Sequence, residues 1–405
     1  MWPLTKRFCT SLSCLGLLAS PLAANTKLEI AGPPGSGGFG ASVSVLPNGN
    51  FVVTDSSFDL TNPTVADVGA VYLYSADGEL ISRLSGDKAS DRVGSGGVVV
   101  LANGNFVVKS PSWSNGSISQ AGAVTWGHAE TGFSGGANVV LSAANSLVGS
   151  QENDRVSDRA VTPLKNGHYV VCSQYWNHGE VVNAGAATWC NGETGMAGEV
   201  GSSNSLVGSQ AGDLVGSGIV RVLSNGHYVV SSPFWDNGSV IDAGAATWCD
   251  GNLGLAGEVS AANSLVGSQA NDQVGNLYSG FNYNGLVEVL ANGHYVVLSP
   301  KWDNGPVVDA GAVTWCNGST GLVGEVSAAN SLVGSQDEYQ VGGSGITELS
   351  NGHYVVNSIY WNNGGVADAG AATWCNGGTG LAGAVSAANS LVGSQAGDQV
   401  GHSGV

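Results

Sequence analysis

The chain repeats itself, and this constrains its fold more than any other feature. Ser-Leu-Val-Gly-Ser-Gln begins at Ser146, Ser205, Ser264, Ser331 and Ser390, at steps of 59, 59, 67 and 59 residues. Asn-Gly-His-Tyr-Val-Val keeps the same phase from Asn166, Asn225, Asn292 and Asn351, and diverged copies reading Asn-Gly-Asn-Phe-Val-Val start at Asn48 and Asn103. A period near sixty residues means that one supersecondary unit is written six times, so local motifs have to be read per unit.

The copy over 215–273 serves as the type. Residues 218–223 alternate apolar and polar, Asn225-Gly226 is a strong hairpin signal, and Tyr228-Val229-Val230 continues as a second strand. A polar loop over 233–242 leads to a third strand at 245–249, and Asp250-Gly251-Asn252 turns into a fourth expected over 258–266. Residues 269–273 link to the next copy, and no helical period intervenes. Four short strands per unit is the arithmetic of a propeller blade. A parallel β-solenoid is the structural alternative, but its coils need no tight antiparallel turns. The expected fold is all-β, a β-propeller of about six or seven four-stranded antiparallel blades.

Composition agrees. Charged residues are 10% of the chain against a usual ~25%, and 64 glycines accompany a hydrophobic fraction of 42% with 11 Trp and 11 Tyr. That argues against an ordinary helical enzyme and leaves enough apolar surface for a sizeable core. Lys6 and Arg7 precede an apolar run over 8–22 and the small residues Ala23 and Ala24, the pattern of a secretory signal peptide. No apolar run of transmembrane length follows. The expected organisation is a signal peptide over 1–24, a six-repeat propeller over 25–399 and the start of a truncated seventh repeat over 400–405. The formal charge of −18 makes nucleic acid a poor partner.

Cys190, Cys249, Cys316 and Cys375 each end a repeated Thr-Trp-Cys. Equivalent positions in successive repeats lie too far apart to bridge, so buried thiols are expected.

Phe39-Gly40-Ala41-Ser42-Val43-Ser44-Val45-Leu46, Gly49-Asn50-Phe51-Val52-Val53 and Gly69-Ala70-Val71-Tyr72-Leu73-Tyr74 resemble the FG-GAP repeat of integrin α-subunit propellers. Later copies keep the outline, as in Gly244-Ala245-Ala246-Thr247-Trp248, and also resemble repeats of large exported bacterial surface proteins. The resemblance implies a propeller and, by analogy of fold, adhesion. Calcium-binding FG-GAP repeats carry alternating carboxylates in the turn between the first two strands. Here that turn is Leu223-Ser224-Asn225-Gly226-His227, without an acid, so the family's calcium site does not carry over. No cofactor is expected, and only weak calcium binding at the Asp-rich loops of the opposite face stays open.

No catalytic constellation or phosphate loop stands in a supporting context. His168, His227, His294 and His353 each follow Asn-Gly in separate hairpins and read as turn-flanking surface residues rather than metal ligands. The better candidates are the loops between the second and third strands and the links between repeats, which emerge together opposite the Asn-Gly turns. That face is expected to present Trp176, Trp235, Trp302 and Trp361 with Asp236, Asp303, Asp242, Asp309 and Asp368, and from the links Asp154, Asp213, Asp272 and Asp398. Aromatic rings beside carboxylates suit carbohydrate or a cationic partner. The competing reading packs the Trp rings between blades and leaves the acids to stabilise turns. The 67-residue step contains an insertion over 276–283 whose Tyr278, Phe281 and Tyr283 suit a recognition loop. The expectation is an exported, non-catalytic protein of the cell surface that binds protein or glycan through its loop face. A secreted carbohydrate-active enzyme and a spacer within a larger surface assembly are the alternatives.

Overall fold

Each unit folds into one small antiparallel sheet, and a short turn sets the sheet's register. In the fourth of the six sheets in chain order, blade 4 (Val220–Val222, Tyr228–Ser232, Ala245–Cys249 and Leu265–Val266), Leu223 N–H donates to His227 O at 2.8 Å and Gly226 N–H to Leu223 O at 3.2 Å. This closure holds Gly226 at φ +92°, a backbone region open to glycine at little cost. Val220–Val222 and Tyr228–Ser232 then pair as a hairpin, and Tyr228–Ser232 pairs in turn with Ala245–Cys249.

The computed structural model describes residues 29–276 and 287–402, and all the strands lie within the compact unit that begins at Gly32. Among the described residues there is no α-helix, and six such sheets follow one another. The architecture is all-β and of the propeller type, as the repeat arithmetic predicts. The proposed signal peptide over 1–24 and the insertion aromatics Tyr278, Phe281 and Tyr283 lie outside the described residues.

The single fourth strand expected over 258–266 is two strands with different partners. Gly257–Glu258 pairs in parallel with Leu206 and Val207 of the preceding blade, whereas Leu265–Val266 pairs antiparallel with its own blade. Asn263 causes the break. Its Oδ1 accepts from Ser260 N–H at 2.9 Å and its Nδ2 donates to Glu258 O at 2.8 Å, folding the segment into a side-chain-stapled turn. Blades 1 to 5 thereby each gain an outer strand from the following repeat, which makes five strands, or six in blade 2 where Gly132–Phe133 also pairs, and the sheet of Ile346–Glu348, Tyr354–Ser358, Ala371–Cys375 and Ser390–Val392 has four.

Apolar residues fill the junctions between consecutive blades. Between blades 3 and 4, Val170, Cys172 and Ala187 face Tyr228, Val230 and Trp235, all nearly inaccessible to solvent. Within a blade, the Thr247 hydroxyl meets Ser264 Oγ at 2.7 Å and Ser264 donates on to Asn263 Oδ1 at 2.8 Å. The repeated Thr-Trp-Cys and Asn-Ser-Leu-Val motifs therefore satisfy each other's buried polar atoms.

Candidate functional site

In the third to sixth units the loop between the second and third strands runs as Trp, Asp or Asn, Asn or His, Gly, three variable residues, then Asp or Asn. Its closure is internal. Asp236 Oδ1 accepts from Asp242 N–H at 2.7 Å, and Asp303 Oδ1 from Asp309 N–H at 2.7 Å. Asp242 and Asp309 sit at φ +52° and +49°, the left-handed region that Asp and Asn tolerate better than other side chains. Burial, reinforced by the neighbouring Asp236 or Asp303 and opposed by Lys301, raises the carboxyl pKa of Asp242 and Asp309. All four acids thus shape the loop that carries them.

Trp176, Trp235, Trp302 and Trp361 do not offer their rings to a ligand. They are 3%, 3%, 3% and 5% exposed and belong to the apolar clusters between consecutive blades. The expectation of an aromatic platform is corrected by burial, because the alternating strands leave at each blade junction a gap that a large ring fills.

The link carboxylates are equally committed. Asp213 is fully buried, and its Oδ2 accepts from Ser209 and Gln210 N–H at 2.8 Å each while its Oδ1 accepts from Asp236 N–H at 3.0 Å. Asp154 and Asp272 repeat the arrangement with Asn177 and Asp303. Each acid therefore clamps one repeat's link to the next repeat's loop. Burial raises the pKa of Asp154, Asp213 and Asp272, opposed by these backbone N–H groups. In the fifth link Tyr339 replaces the acid, and its hydroxyl donates to Asn362 O at 3.3 Å. Asp398 keeps its Ser394 and Gln395 contacts and is exposed. Asp368 is exposed, its N–H held by Asn362 Oδ1 at 2.7 Å.

The histidines are struts rather than free surface groups. His168 Nδ1 accepts from Gly192 N–H at 3.0 Å, with its ring 4.8 Å from that of Trp189, and His227, His294 and His353 repeat the bond to Gly251, Gly318 and Gly377 at 3.1 Å. A backbone donor on Nδ1 puts the proton of the neutral ring on Nε2. Among the described residues, no three His, Cys, Asp or Glu side chains come together as a metal site.

Besides exposed polar positions such as Glu180 and Ser239 and the partly open Phe234, the loop exposes aliphatic side chains. Val182, Ile241 and Val308 each stand six residues after the buried Trp of successive blades and are 57%, 62% and 54% exposed. Their backbones are pinned, since Val182 O accepts from Gly212 N–H at 3.1 Å, Ile241 O from Asn271 N–H at 3.0 Å and Val308 O from Glu338 N–H at 2.9 Å. Sequence reasoning missed these three because it weighed aromatic rings over aliphatic ones; their fixed spacing from the tryptophans was the available signal.

Six segments of the chain, 45–95, 100–158, 163–217, 222–276, 289–343 and 348–402, match the family model described as a repeat of unknown function (DUF5650). Among curated proteins none matches the chain in sequence. Solved structures that it resembles include a catalytically inactive virginiamycin B lyase from Staphylococcus aureus, with TM-score 0.32 and 6% identity over 89% of this chain and 84% of that one. A protein of unknown function from Bacteroides caccae gives TM-score 0.26 and 12% identity over 72% and 80%. A luciferin-regenerating enzyme gives TM-score 0.25 and 10% identity over 80% and 85%.

Proposed function

From the premise that this chain belongs to the family of repeats of unknown function (DUF5650), and from its geometry, we propose an exported, non-catalytic binding protein that takes a protein ligand on its loop face. One observation carries the reading: Val182, Ile241 and Val308 form an exposed aliphatic row at equivalent positions of three successive blades, on loops held by repeated hydrogen bonds. Exposed apolar side chains on a fixed backbone suit a protein surface better than a sugar, which needs open aromatic faces and free polar groups. With a chain charge of −18, a ligand that brings apolar residues rimmed by Lys and Arg fits best. The pattern over 1–24 supports export, and the FG-GAP resemblance of residues 39–74 supports adhesion by analogy of fold.

The test is to screen the protein in parallel against a glycan array and an array of extracellular and bacterial surface proteins. The combined variant Val182→Ser, Ile241→Ser, Val308→Ser is expected to lose a protein hit by at least about tenfold while its unfolding midpoint stays put. Hits confined to glycans, or a protein hit untouched by the variant, overturn the reading.

A further inference from the structure

Blade 2 (Gly97–Val100, Phe106–Ser110, Ala123–His128 and Ser146–Val148) departs from the loop that blades 3 to 6 share. One residue before the buried Trp, those blades carry Tyr175, Phe234, Lys301 and Tyr360, and blade 2 carries Ser112. Six residues after it they carry Val182, Ile241, Val308 and Ala367, and blade 2 carries Ser119, followed by Gln120. Ser114 stands where Asn177, Asp236, Asp303 and Asn362 close their loops. The short side chains leave a cavity of about 380 Å3 between this loop and the preceding link, lined by Ser90, Arg92, Ser112, Ser114, Ser119 and Gln120. That volume falls within the range of small-molecule sites.

The lining is hydroxylic and cationic. Among the described residues, the hydroxyls of Ser90, Ser112 and Ser114 have no hydrogen-bond partner, so they are free to meet a ligand. Ser119 Oγ donates to Glu152 Oε1 at 2.8 Å and keeps its acceptor capacity. Arg92 lies 3.8 Å from Asp67 and is 55% exposed, a loose pair that leaves guanidinium N–H groups available. Two further cations stand beside the cavity: Arg155 Nε donates to Gln120 Oε1 at 3.1 Å, and Lys88 Nζ donates to Ser114 O at 3.4 Å and to Gly116 O. Later repeats place Gln151, Gln210, Gln269, Gln336 and Gln395 at the position of Lys88. Three cations round one cavity are a concentration of positive charge in a chain with 12 Lys and Arg against 30 Asp and Glu.

We propose that this cavity binds a small open-chain polyhydroxy carboxylate, a ligand of the sugar-acid class. The carboxylate meets the Arg92 guanidinium, whose planar fork matches it, and the ligand hydroxyls exchange hydrogen bonds with Ser90, Ser112, Ser114 and Ser119. Trp113, between two of the serines, is buried at 3% exposure and offers no ring face, so a flexible hydroxylated chain fits better than a sugar ring that depends on stacking. The site is independent of the Val182, Ile241 and Val308 row, which lies on blades 3 to 5, and either can fail without the other.

The test titrates the full chain with sodium gluconate by calorimetry at fixed ionic strength, with sorbitol and propionate as probes that lack the carboxylate and the hydroxyls respectively. Gluconate is expected to saturate below about 5 mM, and each control to bind at least tenfold more weakly. Arg92→Gln and Ser112→Tyr each install the side chain that other repeats hold there, as at Gln273 and Tyr175, and Gln273 keeps the positive φ of Arg92, at +46° against +47°. Both variants should therefore keep the parent's unfolding midpoint and weaken gluconate at least tenfold, the first by removing the cation and the second by filling the cavity. No saturation up to about 50 mM gluconate, or binding indifferent to both variants, overturns the proposal. So does sorbitol binding as tightly as gluconate, or inorganic phosphate binding more tightly than gluconate, which would make this a site for a neutral polyol or for a bare oxyanion.

Discussion

Trp189 and Gly251 are 62 residues apart in the chain, and the indole N–H of the first donates to the carbonyl of the second at 2.9 Å. Trp189→Phe keeps most of the ring and removes the donor. It should cost about 0.5–1.5 kcal/mol in denaturant unfolding, the usual net worth of one hydrogen bond. Trp374→Phe, whose ring is half exposed on blade 6, should stay within about 0.5 kcal/mol. A loss at Trp189 no larger than at Trp374 would mean that this bond does not help to tie the repeats.

Asp213 carries three backbone N–H groups on two oxygens. In Asp213→Asn an amide NH2 must face at least one of those donors. The expected loss is about 1–3 kcal/mol, the penalty for leaving a buried polar group mispaired. Asp398→Asn, exposed and lacking the third contact, should change stability by under about 0.5 kcal/mol. Thermal unfolding of the two single variants decides between them.

Much of this was legible in the sequence. Alternation around Asn225-Gly226 located the first hairpin, and Ala245–Cys249 is the third strand as read. The division of residues 258–266 was not legible. A run of apolar and small residues looks continuous until Asn263 is seen to bond back to Glu258, and no local pattern says that Gly257 pairs with a strand fifty residues earlier. Trp235 misled for a related reason. A tryptophan beside Asp-Asn-Gly has loop neighbours in sequence but blade neighbours in space, and the inter-blade gap decided its burial.

The histidine struts predict a pH dependence with a definite sign. Burial holds His168 below its ordinary pKa, partly offset by the Glu193 carboxylate. As pH falls below about 6.5, the unfolded chain binds the proton that the folded one resists, so this contribution is present above that value and is lost through the folded pKa. The raised pKa values of Asp154, Asp213 and Asp272 act oppositely, favouring the folded state as pH falls through them toward the ordinary carboxylate value near 3.9. His168→Gln, which can still accept from Gly192, isolates the first effect. Its unfolding midpoint should drop less than the parent's between about pH 7.5 and pH 5.5.

All five described cysteines are free and buried, and burial pushes the thiols of Cys172, Cys190, Cys249, Cys316 and Cys375 up to about 12. A chain lacking residues 1–24 should therefore give no rapid reaction with a thiol reagent at mildly alkaline pH, and five equivalents once denatured. A single fast native thiol would place one of these strands in exchange with solvent.

The parallel pairing of Val207 with Glu258 has a kinetic side. A ribosome releases a chain N-terminus first, and a blade whose four own strands have emerged still lacks its outermost one until about fifty further residues appear. Synthesis of blades 1 to 5 therefore proceeds with one raw sheet margin at the growing tip, which each new repeat seals as it exposes its own. A pause in translation just after a Ser-Leu-Val-Gly segment would leave that margin bare for longest, making those positions the points at which nascent chains are most apt to join one another.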